Sequence, residues 1–157
     1  RPKSSAASDV YKRQINWWAP VSNVEEKNTM IFYPDYFDVP VKNTTSTWDL
    51  NIYLANRKKG DFSYPSAPQL KEDLPSNIKK IPVTIKPGEI LCFSGAHLHS
   101  SSKEKSENTR ISFEIRTICE NDLNSSAQAP NVDCDLQWKF PKIFKKINDN
   151  SPLKITS

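Results

Sequence analysis

Residues 109–118 read TRISFEIRTI, and the alternation in this decapeptide decides what the rest of the chain can be. A strand sends successive side chains to opposite faces, so Arg110, Ser112, Glu114 and Arg116 share one face and Ile111, Phe113 and Ile115 the other. One face is ionic and one is apolar. On an ordinary half-exposed strand the polar side is simply wet. On a barrel strand it looks into a ligand cavity while the apolar side packs under a helix.

Upstream, PGEILCFSGAHLHSS (87–101) is a strand that ends at Ser94-Gly95 and delivers His97 and His99. KKIPVTI (79–85) is a further strand, followed by a tight Lys86-Pro87-Gly88 turn. Further back, INWWAPV (15–21) and NTMIFY (28–33) are strands, the second stopped by Pro34. Thr47 is expected to cap a short helix running to about Lys58, with Trp48, Ile52 and Ala55 at helical spacing and Gly60 ending it. Residues 60–79 read as a long surface loop, and Ser100 to Asn108 as a polar connection with a solvated run from Lys103 to Glu107. Beyond Cys119 the chain is polar until Phe140, Ile143, Phe144 and Ile147, an amphipathic helix opened by Pro141. Short strands joined by turns predict a mainly β domain with a few helices outside it, a sandwich or a barrel.

The chain has 157 residues, enough for one core and too few for two. Its three glycines, Gly60, Gly88 and Gly95, cannot spell a phosphate-cradling loop or a nucleophile elbow. Three cysteines, Cys92, Cys119 and Cys134, without a C-x-x-C pair fit a reduced, cytoplasmic setting. The sequons at Asn43 and Asn124 carry little weight without a signal peptide. The formal charge of +4 comes from 22 basic and 18 acidic residues. The first fourteen residues, RPKSSAASDVYKRQ, hold Arg1, Lys3, Lys12 and Arg13 against Asp9, which leaves 18 against 17 for the remainder. Without that stretch the argument for a nucleic-acid partner fails, and no apolar run suits a membrane. Residues 1–14 resemble translated adapter read-through in front of gene fragments assembled from environmental DNA. They are expected to be a non-native or disordered leader, with the native polypeptide cut upstream of Ile15.

The spacing His99, Arg110, Ser112 resembles that of the iron(II)/2-oxoglutarate-dependent oxygenases. Within them it resembles the phytanoyl-CoA-dioxygenase-like proteins, in an uncharacterised branch similar to a streptomycin-biosynthesis protein. The likeness also runs through INWWAPV, Asn28 to Pro34, Pro40-Val41-Lys42-Asn43, FSGAHLHS, NTRISFEIRTI and Ala129 to Asp133, so it spans most of residues 15–133. It implies a double-stranded β-helix, jelly-roll and cupin-like, that is N-terminally truncated. Residues 15–120 would form the partial domain, and 121–157 a C-terminal extension carrying the amphipathic helix.

The resemblance implies His99 as the distal iron(II) ligand, with Arg110 and Ser112 binding the far carboxylate of 2-oxoglutarate. A neutral imidazole suits a borderline metal, although a lone histidine is more often structural. A guanidinium offers a two-pronged, charge-assisted grip that lysine lacks. His97 is expected to support the site from behind, and Asn16, opposite in parity to Trp17, to line the cavity. Glu114 and Arg116 are expected to pair with each other rather than touch substrate. The Trp17, Trp18 and Trp48 rings suit core or barrel wall, and Tyr33, Asp35 and Tyr36 a polar turn.

The implied activity is hydroxylation of a small-molecule metabolite by O₂, with oxidative decarboxylation of 2-oxoglutarate to succinate and CO₂; oligomeric state stays open. Halogenation is the related outcome where the ligand carboxylate is replaced. One departure is serious, because the sequence contains no His-x-Asp or His-x-Glu for the first two iron ligands, so the fragment itself is expected to be inactive. Two rival classes remain: a cupin-like metal enzyme that uses no 2-oxoglutarate, and a metal-free barrel that serves as a binding module.

Overall fold

The computed structural model describes residues 14–44, 47–102, 106–119, 121 and 144–153. Among these, six strands form two antiparallel sheets. The strands are β1 (Ile15–Pro20), β2 (Met30–Phe32), β3 (Ile81–Pro82), β4 (Leu91–Ser94), β5 (His99–Ser101) and β6 (Ser112–Thr117). The first sheet has the order β4-β1-β6 and the second β3-β2-β5, and neither closes into a barrel among the described residues.

The first sheet forms because INWWAP is rich in residues that fill a pleated surface, and both of its neighbours are apolar on alternate positions. Its register pairs Asn16 with Phe93 and Arg116, and Trp18 with Leu91 and Glu114. Directly paired residues share a face. The face that carries Asn16, Trp18 and Phe93 therefore also carries the polar side of β6. Asn16, Trp18 and Phe93 are buried, and Met30 and Phe32 of the second sheet pack with Trp18 and Phe93. The Phe32 and Phe93 rings meet edge to face with centroids 5.1 Å apart. The core thus lies between the two sheets.

The opposite face carries Ile15, Trp17, Phe113 and Ile115, all exposed. Here the structure corrects the sequence reading of Trp17. Parity sends only one of two consecutive tryptophans inward, so Trp18 enters the core while Trp17 stays 39% exposed and donates its indole N–H to Thr117.

The helix α1 (Leu50–Lys58) starts later than expected, because Asp49 rather than Thr47 caps it, accepting from the amides of Asn51 and Ile52. Trp48 lies before the cap and donates to the Pro65 carbonyl, and Asp49 donates its amide to the Tyr64 hydroxyl. No residue of α1 is buried. Gly60 follows it at φ 74°, the left-handed conformation glycine adopts without penalty. The Lys86–Glu89 turn closes as expected, with Gly88 at φ 94° and the Glu89 amide on the Lys86 carbonyl.

The expected amphipathic helix opened by Pro141 is not seen in its described part. From Phe144 to Leu153 the chain makes a tight reversal, with Lys145 bridged to Pro152, Phe144 buried with Leu153, and Ile147 93% exposed. Phe140, Pro141, Ile143, Cys134, Ala129 to Asp133, Lys103 and residues 1–13 lie outside the described residues. Gln14, the last residue of the expected leader, is buried, and its carbonyl accepts from the Gly95 amide.

Candidate functional site

His99 opens β5 opposite Phe32, the inward residue of β2, so its side chain faces the core. Its ring stands edge-on to Phe93 at 4.9 Å and lies 5.6 Å from Phe32. Its Nδ1 is 2.7 Å from the His97 carbonyl oxygen. A carbonyl only accepts, so a neutral ring carries its proton on Nδ1 and its lone pair on Nε2. That is the tautomer a ligating imidazole adopts when a backbone carbonyl holds its far nitrogen. His97 itself is stacked flat on Phe37, with centroids 4.0 Å apart and planes 9° apart. Burial, and secondarily the neighbouring His99, lower its pKa.

Arg110 comes just before β6 and reaches the same interior from the other sheet. Its guanidinium carbon lies 5.6 Å from the centre of the Trp18 ring, and Nη2 donates weakly to Ser101 Oγ at 3.4 Å. Ser101 is two residues beyond His99 on β5, so the same strand bears on both groups. Nη1 is buried and has no hydrogen-bond partner among the described residues. No carboxylate pairs with Arg110 among them either. Burial lowers its pKa, but a guanidinium starts so high that it stays charged at neutral pH.

Ser112 is half-buried and paired with Pro20, and shares the face of Arg110 by alternation. Glu114 and Arg116 bind each other at 2.7 Å, on the same face but nearer solvent. Asn16 is buried, accepting from the Gln14 side chain, whose own Oε1 lacks a partner among the described residues. Tyr33, Asp35 and Tyr36 lie in and beside a 3₁₀ turn, Pro34–Tyr36, where Asp35 takes the Lys79 amide.

The structure therefore brings half-buried His99 and Arg110 to the inward rings of Trp18, Phe32 and Phe93, with Ser101 at the exposed rim. Sequence reasoning missed Ser101 and Phe37. Neither carries a local signal, since each is recruited by a partner far along the chain. Among the described residues no three His, Cys, Asp or Glu side chains are grouped as a metal centre needs. The residues present fit an anion better than a complete metal site: a half-buried cation with a spare donor, beside one histidine able to ligate.

By fold and site the chain is a β-rich domain of two facing sheets with a cationic interior position. No family model matches it, and no curated protein or solved structure matches it either. No helix among the described residues is long and apolar enough to cross a membrane.

Proposed function

We propose that the chain is part of a non-haem iron(II)/2-oxoglutarate-dependent dioxygenase of double-stranded β-helix type that hydroxylates a small-molecule metabolite. Arg110 is the anchor of the 2-oxoglutarate far carboxylate, and its unpartnered Nη1 carries the reading. On this half-buried arginine the Nη1 atom itself is shielded from water without a partner, which is costly, and a carboxylate answers it with a charge-assisted hydrogen bond. Trp18 supports the guanidinium from its face and Ser101 holds Nη2, which leaves Nη1 to the ligand. Ser112, half-buried at the start of β6, would add one hydrogen bond.

His99 would supply one imidazole to iron(II), with the tautomer fixed by the His97 carbonyl. Bound there, the metal would supply O₂ activation and chelation of the 2-oxoacid end. The chain's own contribution is to orient the diacid from its far end and to surround the site with the Phe32 and Phe93 rings, which exclude water. The remaining ligands of such a centre are not in this sequence, so the chain alone is expected to bind iron(II) weakly.

Trp18 provides the readout, because it lies under the guanidinium. Titration of the chain with 2-oxoglutarate, without metal, is expected to change tryptophan emission saturably, and the change is expected to vanish in Trp18→Phe. Arg110→Ala is expected to weaken binding about ten- to a hundredfold, the cost of about 1.5–3 kcal/mol for a lost charged hydrogen bond. Arg110→Lys should fall between the two. Equal affinity in wild type and Arg110→Ala would remove the anchor and favour a cupin-like enzyme that uses no 2-oxoacid.

A further inference from the structure

β6 is an edge of the first sheet, with β1 on one side of it and no described strand on the other. An open edge offers a row of amides and carbonyls without ladder partners, a template for one more strand. The pairing with β1 tells which groups these are. The Val21 amide bonds the Ile111 carbonyl at 2.8 Å, so those two residues turn their backbone groups toward each other. Alternation then turns those of Phe113, Ile115 and Thr117 toward β1, and those of Ser112, Glu114 and Arg116 toward the open edge. Pro20 fits this parity, because it lies opposite Ser112, where the ladder asks for no amide proton.

The strand is bare on both faces as well. Its four central residues, Phe113 to Arg116, are all exposed. Phe113 and Ile115 continue an apolar surface made by Ile15, Trp17, Val21 and Ile111, and a contiguous surface of that kind marks an interaction site. On the other face Glu114 and Arg116 bind each other at 2.7 Å. Charges on an edge ordinarily keep other strands away. Here the opposite signs, two residues apart, decide which strand fits.

We infer that two copies of this chain pair along β6, antiparallel, with a two-fold axis at Ile115, and so extend the three-stranded sheet into one of twice the width. Outward-turned residues must meet outward-turned residues, which leaves the axis at Phe113, Glu114 or Ile115. At Glu114 it sets two glutamates opposite each other. At Phe113 it sets Glu114 against a serine and brings Arg116 to the partner's Arg110. At Ile115 it sets Glu114 opposite the partner's Arg116, and symmetry repeats the contact. The ion pair within each strand becomes half of a four-charge cluster of alternating sign, while the two Ile115 side chains meet across the axis on the apolar face. The paired stretch, Phe113 to Thr117, stops short of Ile118, on which Phe144 and Leu153 pack. β4, the other edge of the sheet, offers only four residues. None of this depends on what Arg110 binds.

Charge reversal tests the pairing. Sedimentation equilibrium of the wild-type chain is expected to show monomers exchanging with dimers at a Kd on the order of 10 μM, since a strand-to-strand contact buries less than a standard interface. The Glu114 and Arg116 amides are expected to gain protection from exchange as concentration rises. Glu114→Arg sets arginine against arginine and Arg116→Glu sets glutamate against glutamate, so each variant alone is expected to dimerise about tenfold more weakly. Mixed in equal amounts, the two variants are expected to form a one-to-one heterodimer by native mass spectrometry. The double swap, Glu114→Arg with Arg116→Glu, is expected to regain the wild-type affinity.

A wild-type chain that stays monomeric at about 1 mM would overturn the proposal, whatever covers its edge. Dimers that persist unweakened in both single variants would overturn it too, because the contact then lies elsewhere. So would two monomeric variants that ignore each other on mixing. Assemblies larger than two would also overturn it, since β6 would then meet a different strand in an open-ended array.

Discussion

His97 lies flat against Phe37, and the same burial that makes the stack disfavours its charged form. Its folded pKa is therefore below its unfolded one. Between the two values the unfolded chain binds more protons than the folded one, so stability rises with pH across that window. Acidification is expected to weaken the fold as pH falls below about 6.5, the ordinary histidine value. Below the folded value the loss stops growing. His97→Phe keeps an aromatic ring on Phe37 and should flatten the dependence between pH 5 and 7 in urea-melt midpoints. Asp61 and Asp149, whose pKa values are lowered by hydrogen bonds from Ser63 and Ser151, would act only in a more acidic range. At this scale the spacing of His99, Arg110 and Ser112 singles them out in the sequence, and the structure brings His99 and Arg110 to the same side of the core. The sequence was silent on Ser101 and Phe37, because each matters through a residue that the fold, not the local sequence, brings alongside.

The elements were legible where side-chain alternation was strong and obscure where it was weak. β1 and β6 stand out in the sequence as apolar and alternating runs, and the structure keeps them as six-residue strands. β5 does not, since His-Ser-Ser has little strand preference, and it pairs only because β2 presents an open edge to it. The 144–153 reversal went the other way: Phe144 and Ile147 sit at helical spacing, but Asp149 takes the Ser151 amide and Asn150 adopts a positive φ of 58°, which favour a turn. In α1 the competition was between two possible caps, and the carboxylate two residues later won. Asp49→Ala should cost that helix about 1 kcal/mol. Because α1 buries no residue, the loss is expected to be local. Amide exchange across 51–58 should accelerate several-fold while the global melting temperature moves by less than a degree or two.

Across the whole molecule the division between inside and outside follows the parity of the first sheet. Phe93 enters the core between the sheets and touches Phe32 and His99. Phe113, on the other face of the same sheet, is 49% exposed. Phe93→Ala is expected to cost about 3–5 kcal/mol, and Phe113→Thr no more than about 0.5 kcal/mol, in chemical denaturation. Similar losses for the two would mean that both faces of the sheet are packed, and the reverse order that the sheet presents its faces the other way round. The ladder also constrains how the chain reaches this state. β1 pairs with β4 and β6, and Trp17 bonds to a threonine 100 positions further on. During translation at about 5–20 residues per second, INWWAP would leave the ribosome several seconds before its last partner is made. A tryptophan-rich segment waiting that long without a neighbour is exposed to aggregation until its partners emerge.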